Sequence, residues 1–314
     1  MNKKIIFFGT PYFAVTCLEK MVEENIKPIA VVTSPDQHEG RGRQIRKSAV
    51  KEFSETQKIP VLQPSNLKNT AFIEQLNQFK PDLMVVVAFR MLPKAVWSLP
   101  PFGTINLHAS LLPNYRGAAP INWAIINRER ETGVTTFFIN EDIDSGAILL
   151  QEKELIDEED TAGSLHDKLA LKGGDLICKT INRIFEGLIL PQNQECKGNE
   201  NLAPKLNKEN VFIDLSQPIE AILAKIKGLC PYPGAKSKWI DGQKSFTVKI
   251  FEAEIIIEKH NFDPKNVIIR DKNILITHPS GYINCKILQF PNKKKMKATE
   301  FLNGNTFSDK VEIS

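Results

Sequence analysis

The feature that most constrains the fold is a series of short apolar runs that alternate with amphipathic segments. Residues 5–8 are apolar throughout, residues 14–24 have helical periodicity, and residues 29–33 form a second apolar run. An apolar run without alternation is typical of a strand buried on both faces, and a helical segment between two such runs predicts a crossover connection. The chain therefore begins with a predicted βαβ unit, in which residues 9–11 form the first turn.

The same alternation continues through the first 191 residues. Further strands are predicted at residues 82–88, 103–107 and 134–140, and further helices at residues 66–79, 119–127 and 164–186. We therefore predict an α/β fold, a Rossmann-like and mostly parallel sheet covered by helices. Binding sites in such sheets lie at the carboxyl ends of the strands.

The length predicts two domains, since 314 residues exceed the size at which one core usually stops growing, about 250 to 300 residues. Residues 192–208 are polar with little periodicity, so we expect a linker there between domains at 1–191 and 209–314. After one predicted helix at residues 218–228, the second domain consists of short strand-like runs at 244–251, 253–259, 266–270, 273–277 and 282–290. Such spacing predicts a small β-barrel.

Cysteine content and hydropathy indicate the class of protein. The five cysteines are odd in number, widely spaced and without a Cys-x-x-Cys pair. This pattern favours a reducing cytosol and argues against a structural zinc. No apolar segment has the length of a membrane span, and the amino terminus lacks the features of a secretory signal. We expect a cytoplasmic protein.

The positive charge is concentrated in the carboxyl-terminal part. Residues 205–314 carry 18 Lys and Arg against 12 Asp and Glu, whereas residues 1–204 carry 23 against 25. The run Lys293, Lys294, Lys295, Met296, Lys297 adds to this surplus. A segregated surplus fits contact with a polyanion, although a solvated lysine-rich surface is the more common explanation of a lysine run.

A second basic segment, residues 39–51, contains Arg41, Arg43 and further lysines and arginines, with two glycines and no acid after Glu39. Its composition predicts a flexible basic loop. It either grips phosphates or is simply an exposed mobile loop.

The segment 105–120, INLHASLLPNYRGAAP, is the candidate active site. Side chains two residues apart in a strand share a face, so Asn106 and His108 are expected to point into one pocket. An amide and an imidazole together suit acyl transfer, in which a proton moves and an oxyanion develops. A buried structural histidine is the alternative interpretation of His108, and His38, His166, His260 and His278 have no comparable neighbours.

Asp144 is the candidate third member of this site. It lies in NEDIDSGAILL, residues 140–150, where Gly146 allows a tight turn that aims a carboxylate inward. Glu141 and Asp142 are close enough to take the same role. The alternative interpretation of Asp144 is that it caps the turn, a common task for aspartate.

Taken together, these segments resemble the formyltransferase family that uses 10-formyltetrahydrofolate, in particular those members that act on methionyl-tRNA. The resemblance rests on several segments in the same order and spacing, namely KIIFFGTPYFAVTCLEKM, PDQHEGRGRQ, PDLMVVVAF, INLHASLLPNYRGAAP, IDSG, LAPKL, GLCPYPGA and FPNKKKMKATEFLNG. It implies that the fold ends in an OB-like barrel. It also singles out Asp144 through the family's Asp-x-Gly pattern.

The resemblance implies a reaction, a co-substrate and partners. The formyl group of 10-formyltetrahydrofolate would pass to the amino group of methionine on initiator tRNA, with Asn106, His108 and Asp144 as the catalytic residues and no metal. The wall that contacts folate would be Ser110, Leu111, Leu112 and Pro113. Contacts to tRNA would come from Arg41, Arg43, Lys293, Lys294 and Lys295. We expect a monomer without membrane attachment.

Two alternatives remain open at this stage. A formyltransferase that acts on a small amine would use the same catalytic residues, although it would need neither the basic loop nor a basic second domain. A catalytically inert RNA-binding protein that kept the scaffold is the other. The sequence also departs from the family at Phe89-Arg90-Met91, where relatives tend to have a tyrosine-glycine segment, and at Asn114, where a basic residue is common.

Overall fold

A computed structural model describes residues 3–39, 44–308 and 310–314. Contacts between Cα atoms divide the chain into two compact units, each built from more than one segment. Unit 1 comprises Met1–Gly117, Glu131–Leu155 and His166–Leu202, and unit 2 comprises Ala118–Arg130, Ile156–Leu165 and Ala203–Ser314.

The elements follow the chain in a regular order. In the first half they are β1 (Ile5–Gly9), α1 (Tyr12–Glu23), β2 (Ala30–Val32), β3 (Gln37–Glu39), β4 (Gln44–Arg46), α2 (Ala49–Thr56), β5 (Val61–Leu62), α3 (Thr70–Phe79), β6 (Leu83–Val87), α4 (Lys94–Trp97), β7 (Thr104–His108), β8 (Arg116–Gly117), α5 (Pro120–Ile126), β9 (Glu131–Phe138) and β10 (Ile148–Leu155). The remaining elements are α6 (Ala162–Phe185), β11 (Leu202–Ala203), α7 (Ile219–Gly228), β12 (Ala235–Asp241), β13 (Lys244–Ile256), β14 (Asn266–Arg270), β15 (Asn273–His278), β16 (Gly281–Gln289), β17 (Met296–Lys297), α8 (Ala298–Leu302) and β18 (Val311–Ile313).

Unit 1 is built on a seven-stranded sheet in the order β10-β9-β7-β6-β1-β2-β5. The strands from β7 to β5 are parallel, and β9 and β10 are antiparallel. Every residue of β1 and β6 is buried, as expected for parallel strands covered on both faces. The predicted mostly parallel α/β sheet is confirmed, and β7 is the strand at which the direction of pairing changes.

Unit 2 contains a closed antiparallel barrel. Strands β13, β12, β18, β14, β15 and β16 pair in sequence, β16 pairs back to β13, and the short β17 is added beside β16. The barrel interior is apolar and includes the fully buried Trp239, whose indole N–H donates to Ser237 Oγ at 3.0 Å. The predicted small barrel is confirmed.

The strands of the barrel differ from the prediction in two places. The runs predicted at 244–251 and 253–259 are one strand, β13, because bulges at Glu252 shift the register without ending the pairing. Strand β12 was not predicted, although its burial alternates along Ala235–Trp239 as a half-buried strand requires.

The basic segment 39–51 is also more ordered than its composition predicts. Strands β3 and β4 pair antiparallel on either side of residues 40–43, which lie outside the described residues, and α2 begins at Ala49 with Ser48 as its cap. Lys51 Nζ lies 2.6 Å from Asp36 Oδ2, and Lys47 Nζ lies 2.7 Å from Glu55 Oε2. These two lysines of the basic segment are therefore paired with acids that lie outside it, which composition alone does not predict.

Within the described residues, no helix combines the length and the apolar character that crossing a membrane requires.

The thiols are expected to differ strongly in reactivity. Cys17 and Cys285 are fully buried, and burial raises the pKa of both, that of Cys285 to about 12, so almost no thiolate forms at pH 8. Cys196 is exposed. In native protein an aromatic disulfide reagent should therefore modify Cys196 first, and Cys196→Ser should abolish the fastest phase. Fast reaction of Cys17 or Cys285 with the reagent in folded protein would contradict the burial of these two thiols.

Candidate active site

Strand β7 presents Asn106 and His108 on one face. Its register pairs Asn106 with Val86 of β6 and His108 with Thr135 of β9. The two side chains differ in their partners. The Asn106 amide is partly exposed and makes no hydrogen bond with the described part of the chain. The His108 ring is buried and has protein neighbours at both nitrogens.

The contacts of His108 define its proton positions. Nε2 lies 2.8 Å from the Tyr115 carbonyl oxygen, which can only accept, so Nε2 is the donor of that hydrogen bond. Nδ1 faces Asp144 Oδ2 at 3.7 Å, with the two side chains 7% and 14% exposed. Because Nε2 already carries a proton, Nδ1 is the position at which His108 gains or loses one. A proton on Nδ1 produces an imidazolium beside the carboxylate.

Asp144 lies in the connection between β9 and β10. Its φ of 51° is in the left-handed region, which aspartate tolerates better than most residues. Its Oδ2 accepts a hydrogen bond of 3.0 Å from the backbone N–H of Gly117. Gly146 allows the same turn for a different reason, because a Cβ atom there would lie 1.6 Å from the Phe138 carbonyl oxygen. The tight turn predicted from Gly146 therefore depends on close packing at Gly146 and on positive φ at Asp144.

The other carboxylates near Asp144 face elsewhere. Glu141 lies 2.5 Å from Lys94 Nζ, and this hydrogen bond lowers the pKa of Glu141 below its usual range. Asp142 is exposed. Of the three acids in this connection, Asp144 is the one that the structure places beside His108.

Thr135, which the sequence analysis did not identify, fixes the main chain of the segment 110–113 by hydrogen bonds. Thr135 is fully buried, and its hydroxyl donates to the Ser110 carbonyl oxygen at 2.6 Å and accepts from the Leu112 N–H at 3.1 Å. Gln151 Nε2 donates to the same hydroxyl at 2.9 Å and to the Leu112 carbonyl oxygen at 3.0 Å. Thr135 is one of three threonines in β9, so nothing in the sequence marks it as the centre of this network.

Within this segment the four side chains have different environments. Ser110 and Leu112 are buried, and the Ser110 hydroxyl donates to the Asn114 carbonyl oxygen at 2.6 Å. Leu111 and Pro113 are partly exposed. The accessible side chains of the predicted folate wall are therefore Leu111 and Pro113, whereas Ser110 and Leu112 support the turn.

The departure at Phe89-Arg90-Met91 lies directly after β6. Phe89 packs edge to face on Phe8 with ring centroids 5.7 Å apart, and Arg90 donates to the carbonyl oxygens of Pro64 and Ser65. Met91 is 68% exposed. The segment is thus anchored by its first two residues and exposes its third.

The predicted tRNA contacts fall in two places. Arg41 and Arg43 lie outside the described residues. In unit 2, Lys293 Nζ lies 5.5 Å from the Phe301 ring centroid and Lys295 Nζ lies 4.5 Å from that of Phe251. Lys294 is exposed. These three lysines lie on the turn between β16 and β17.

Among the described side chains, His, Cys, Asp and Glu form no group of three or more that could hold a metal ion.

Comparison with protein families yields matches in both units. The family model "Formyl transferase" matches residues 3–181, and the model "Formyl transferase, C-terminal domain" matches residues 205–306. The chain is 45% identical over 310 residues to a methionyl-tRNA formyltransferase of Flavobacterium johnsoniae, covering 99% of this chain and 98% of that protein. It is 44% identical over 306 residues to a methionyl-tRNA formyltransferase of Bacteroides fragilis, covering 96% and 94%.

Solved structures share the fold at lower identity. HypX from Aquifex aeolicus, solved with tetrahydrofolic acid, is 20% identical with a TM-score of 0.67, and the match covers 96% of this chain and 47% of HypX. The chain thus spans about half the length of HypX. An N-formyltransferase from Helicobacter canadensis, solved with folinic acid and dTDP-3-aminofucose, is 20% identical with a TM-score of 0.65, covering 90% and 98%.

Removing the Thr135 hydroxyl tests the support of the segment 110–113. Thr135→Val keeps the shape of the side chain but leaves the Ser110 carbonyl, the Leu112 N–H and one Gln151 donor without their partner. We expect a loss of about 3 kcal/mol in the free energy of unfolding, measured by urea denaturation, since each unsatisfied buried group costs roughly 1 to 3 kcal/mol.

Thr132→Val is the matched control on the same strand. Thr132 is also buried, and its hydroxyl makes no hydrogen bond with the described residues. Equal stability of the two variants would show that Thr135 does not support the segment.

Proposed function

The chain belongs to the formyl transferase family, and we propose that it transfers the formyl group of 10-formyltetrahydrofolate to the amino group of methionyl-initiator tRNA. The product is N-formylmethionyl-tRNA, which serves translation initiation. Near-complete alignment with methionyl-tRNA formyltransferases supports the choice of acceptor. The observation that carries the chemistry is the His108–Asp144 pair at 3.7 Å beside the Asn106 amide, which has no hydrogen-bond partner among the described residues.

The reaction moves one acyl group between two nitrogens. The amine lone pair of methionine attacks the formyl carbon, a C–N bond forms, and the carbonyl oxygen becomes an oxyanion. When this intermediate collapses, the bond from the formyl carbon to N10 of the folate breaks. The amine nitrogen loses a proton and N10 gains one, so the catalytic groups must stabilise an oxyanion and move a proton.

We assign these two tasks to the residues of β7 and the adjacent connection. Asn106 and His108 stabilise the oxyanion, and the N–H donors of the Asn106 amide are not used by any residue that the structure describes. Asp144 orients the imidazole and stabilises the positive charge that forms when Nδ1 is protonated, so that protons move directly or through a water. In a largely buried site this charge compensation is worth more than in water.

The co-substrate carries the reactive carbon, so the protein has only to bind it, orient it and exclude water. We propose that Leu111 and Pro113 contact the folate directly, while Ser110 and Leu112 hold the turn beneath them. The catalytic residues all belong to one chain, so a monomer suffices for this reaction.

We further propose that Arg41, Arg43, Lys293, Lys294 and Lys295 contact the phosphates of the tRNA. Arginine forks bind phosphate in pairs, and contacts to phosphates dominate affinity for nucleic acid. The ion pairs of Lys47 and Lys51 support this choice within the basic segment, because those two lysines already have carboxylate partners.

The first experiment measures formyl transfer from 10-formyltetrahydrofolate to methionyl-initiator tRNA, with glycinamide ribonucleotide and an amino-sugar nucleotide as parallel acceptors. We expect transfer to the tRNA alone. We expect His108→Ala and Asp144→Asn each to lower kcat at least about 100-fold, since each removes a group that acts on the developing charge or its proton. Thermal denaturation should show folded protein in both cases.

The outcomes are distinct. Transfer to a small amine would retain the chemistry and overturn the acceptor. Near-normal transfer by the His108 variant would overturn the catalytic assignment. No transfer to any acceptor by the unmodified protein would favour an inert RNA-binding protein.

The proposed lysine contacts predict a change in salt dependence. Replacing Lys293, Lys294 and Lys295 together by Gln should weaken tRNA binding and reduce the slope of log K against log salt by about 2 to 3, because each lost phosphate contact removes one released counterion. A filter-binding titration at several salt concentrations measures this slope, and the KM for folate should not change.

The matched control replaces Lys259, Lys265 and Lys272 by Gln. These lysines are exposed, belong to unit 2 and give the same change in net charge. An equal fall in slope for both triple variants would assign the effect to overall charge and not to the turn at 293–295.

A further inference from the structure

We propose that Gln194 and Arg116 form a positioning pair that holds the Asp144 carboxylate against His108. This inference deepens the proposed function, because it rests on Asp144 acting on His108 during formyl transfer. Gln194 lies in the polar segment interpreted above as a linker, outside both ranges that match the family models, residues 3–181 and 205–306.

Both ends of the Gln194 amide are occupied. Nε2 donates to the Asp144 carbonyl oxygen at 2.9 Å and to the Gly146 carbonyl oxygen at 2.8 Å. Oε1 accepts from Arg116 Nε at 3.0 Å and from Arg116 Nη2 at 2.5 Å. The Gln194 side chain therefore links the turn that carries Asp144 to Arg116.

Arg116 stands between the two residues whose backbone touches the catalytic side chains. On one side the Tyr115 carbonyl accepts from His108 Nε2, and on the other the Gly117 N–H donates to Asp144 Oδ2. The contacts form a closed ring that runs from His108 through the segment 115–117 and Gln194 to Asp144, and back to His108. The distance of 3.7 Å between Nδ1 and Oδ2 is set within this ring.

Among the described residues, the hydrogen bonds internal to the connection between β9 and β10 do not involve the carbonyl oxygens of Asp144 and Gly146. Asp144 has a φ of 51°, and the carbonyl oxygens of Asp144 and Gly146 both accept their hydrogen bonds from one Gln194 nitrogen. Without those bonds, the turn can relax and move the carboxylate. A displacement of about 1 Å at a reacting group is enough to lower a rate by as much as 100-fold.

The positive charge of Arg116 makes Gln194→Glu the most informative substitution, because a carboxylate can still accept hydrogen bonds from the guanidinium. Glu200 also lies near Arg116: its pKa is lowered chiefly by hydrogen bonds from the backbone, above all that of Lys197, and to a lesser degree by Arg116. Gln194→Glu keeps an acceptor for the Arg116 guanidinium and removes both donors to the Asp144 turn. It therefore separates the positioning contacts from the contact to Arg116.

We expect Gln194→Glu to lower kcat by at least about tenfold while the KM values for folate and tRNA stay within about twofold, since the contact acts on the reacting groups and not on binding. Gln192→Glu is the matched control, because it introduces the same charge two residues away at an exposed side chain without a hydrogen bond to the described residues. Its kcat should be normal. Both proteins should have the melting temperature of the unmodified chain.

Arg116→Met tests the same positioning contact without changing Gln194. Arg116→Met frees the Gln194 amide, so kcat should fall in the same direction but by less. The double variant should be no slower than Gln194→Glu alone, since both changes act through one contact to Asp144.

The results separate this inference from the proposed function. The positioning role is overturned if Gln194→Glu matches Gln192→Glu, if its loss lies in KM, if its loss follows a lowered melting temperature, or if the double variant shows fully additive losses. Near-normal activity of Asp144→Asn overturns the proposed catalytic set instead. A slow Asp144→Asn with a normal Gln194→Glu overturns the positioning role alone.

Discussion

Strand β7 is the constraint on which the candidate site depends, because it pairs with a parallel neighbour on one side and an antiparallel neighbour on the other. The parallel register with β6 aligns Asn106 with Val86, and the antiparallel register with β9 aligns His108 with Thr135. A shift by one residue would turn Asn106 and His108 to the opposite face. The buried strands on both sides therefore determine where the reactive side chains point.

The electrostatic arrangement around His108 has a cost in stability. A buried carboxylate beside an imidazole loses hydration, and pairing repays this loss only with good geometry and additional hydrogen bonds. Asp144 receives one such bond from the Gly117 N–H, and its separation of 3.7 Å from Nδ1 exceeds a normal hydrogen bond. An apolar pair would pack at lower cost, which is consistent with the proton transfer that we propose for His108 and Asp144.

Backbone geometry and side-chain chemistry act together around this pair. The left-handed conformation of Asp144, the close packing at Gly146 and the carbonyl of Tyr115 all involve main-chain atoms. Gln194, which is distant in sequence, donates to the carbonyl oxygens of Asp144 and Gly146. Thr135 holds the neighbouring segment 110–113 in the same way, through the main chain of Ser110 and Leu112. The site is therefore supported by polar networks that must be satisfied in full, because buried groups without partners are costly.

Periodicity in the sequence was sufficient to predict the elements whose residues are dictated by burial. Apolar runs predicted β1 and β6, because strands buried on both faces have little choice of residues, and the spacing of Asn106 and His108 placed them on one face. The fold was needed to show that Lys51 pairs with Asp36, that Gln194 donates to the Asp144 carbonyl, and that Asp144, which the family's Asp-x-Gly pattern singles out, lies beside His108. These contacts join residues that are distant in sequence or equivalent in composition, so local patterns contain no information about them.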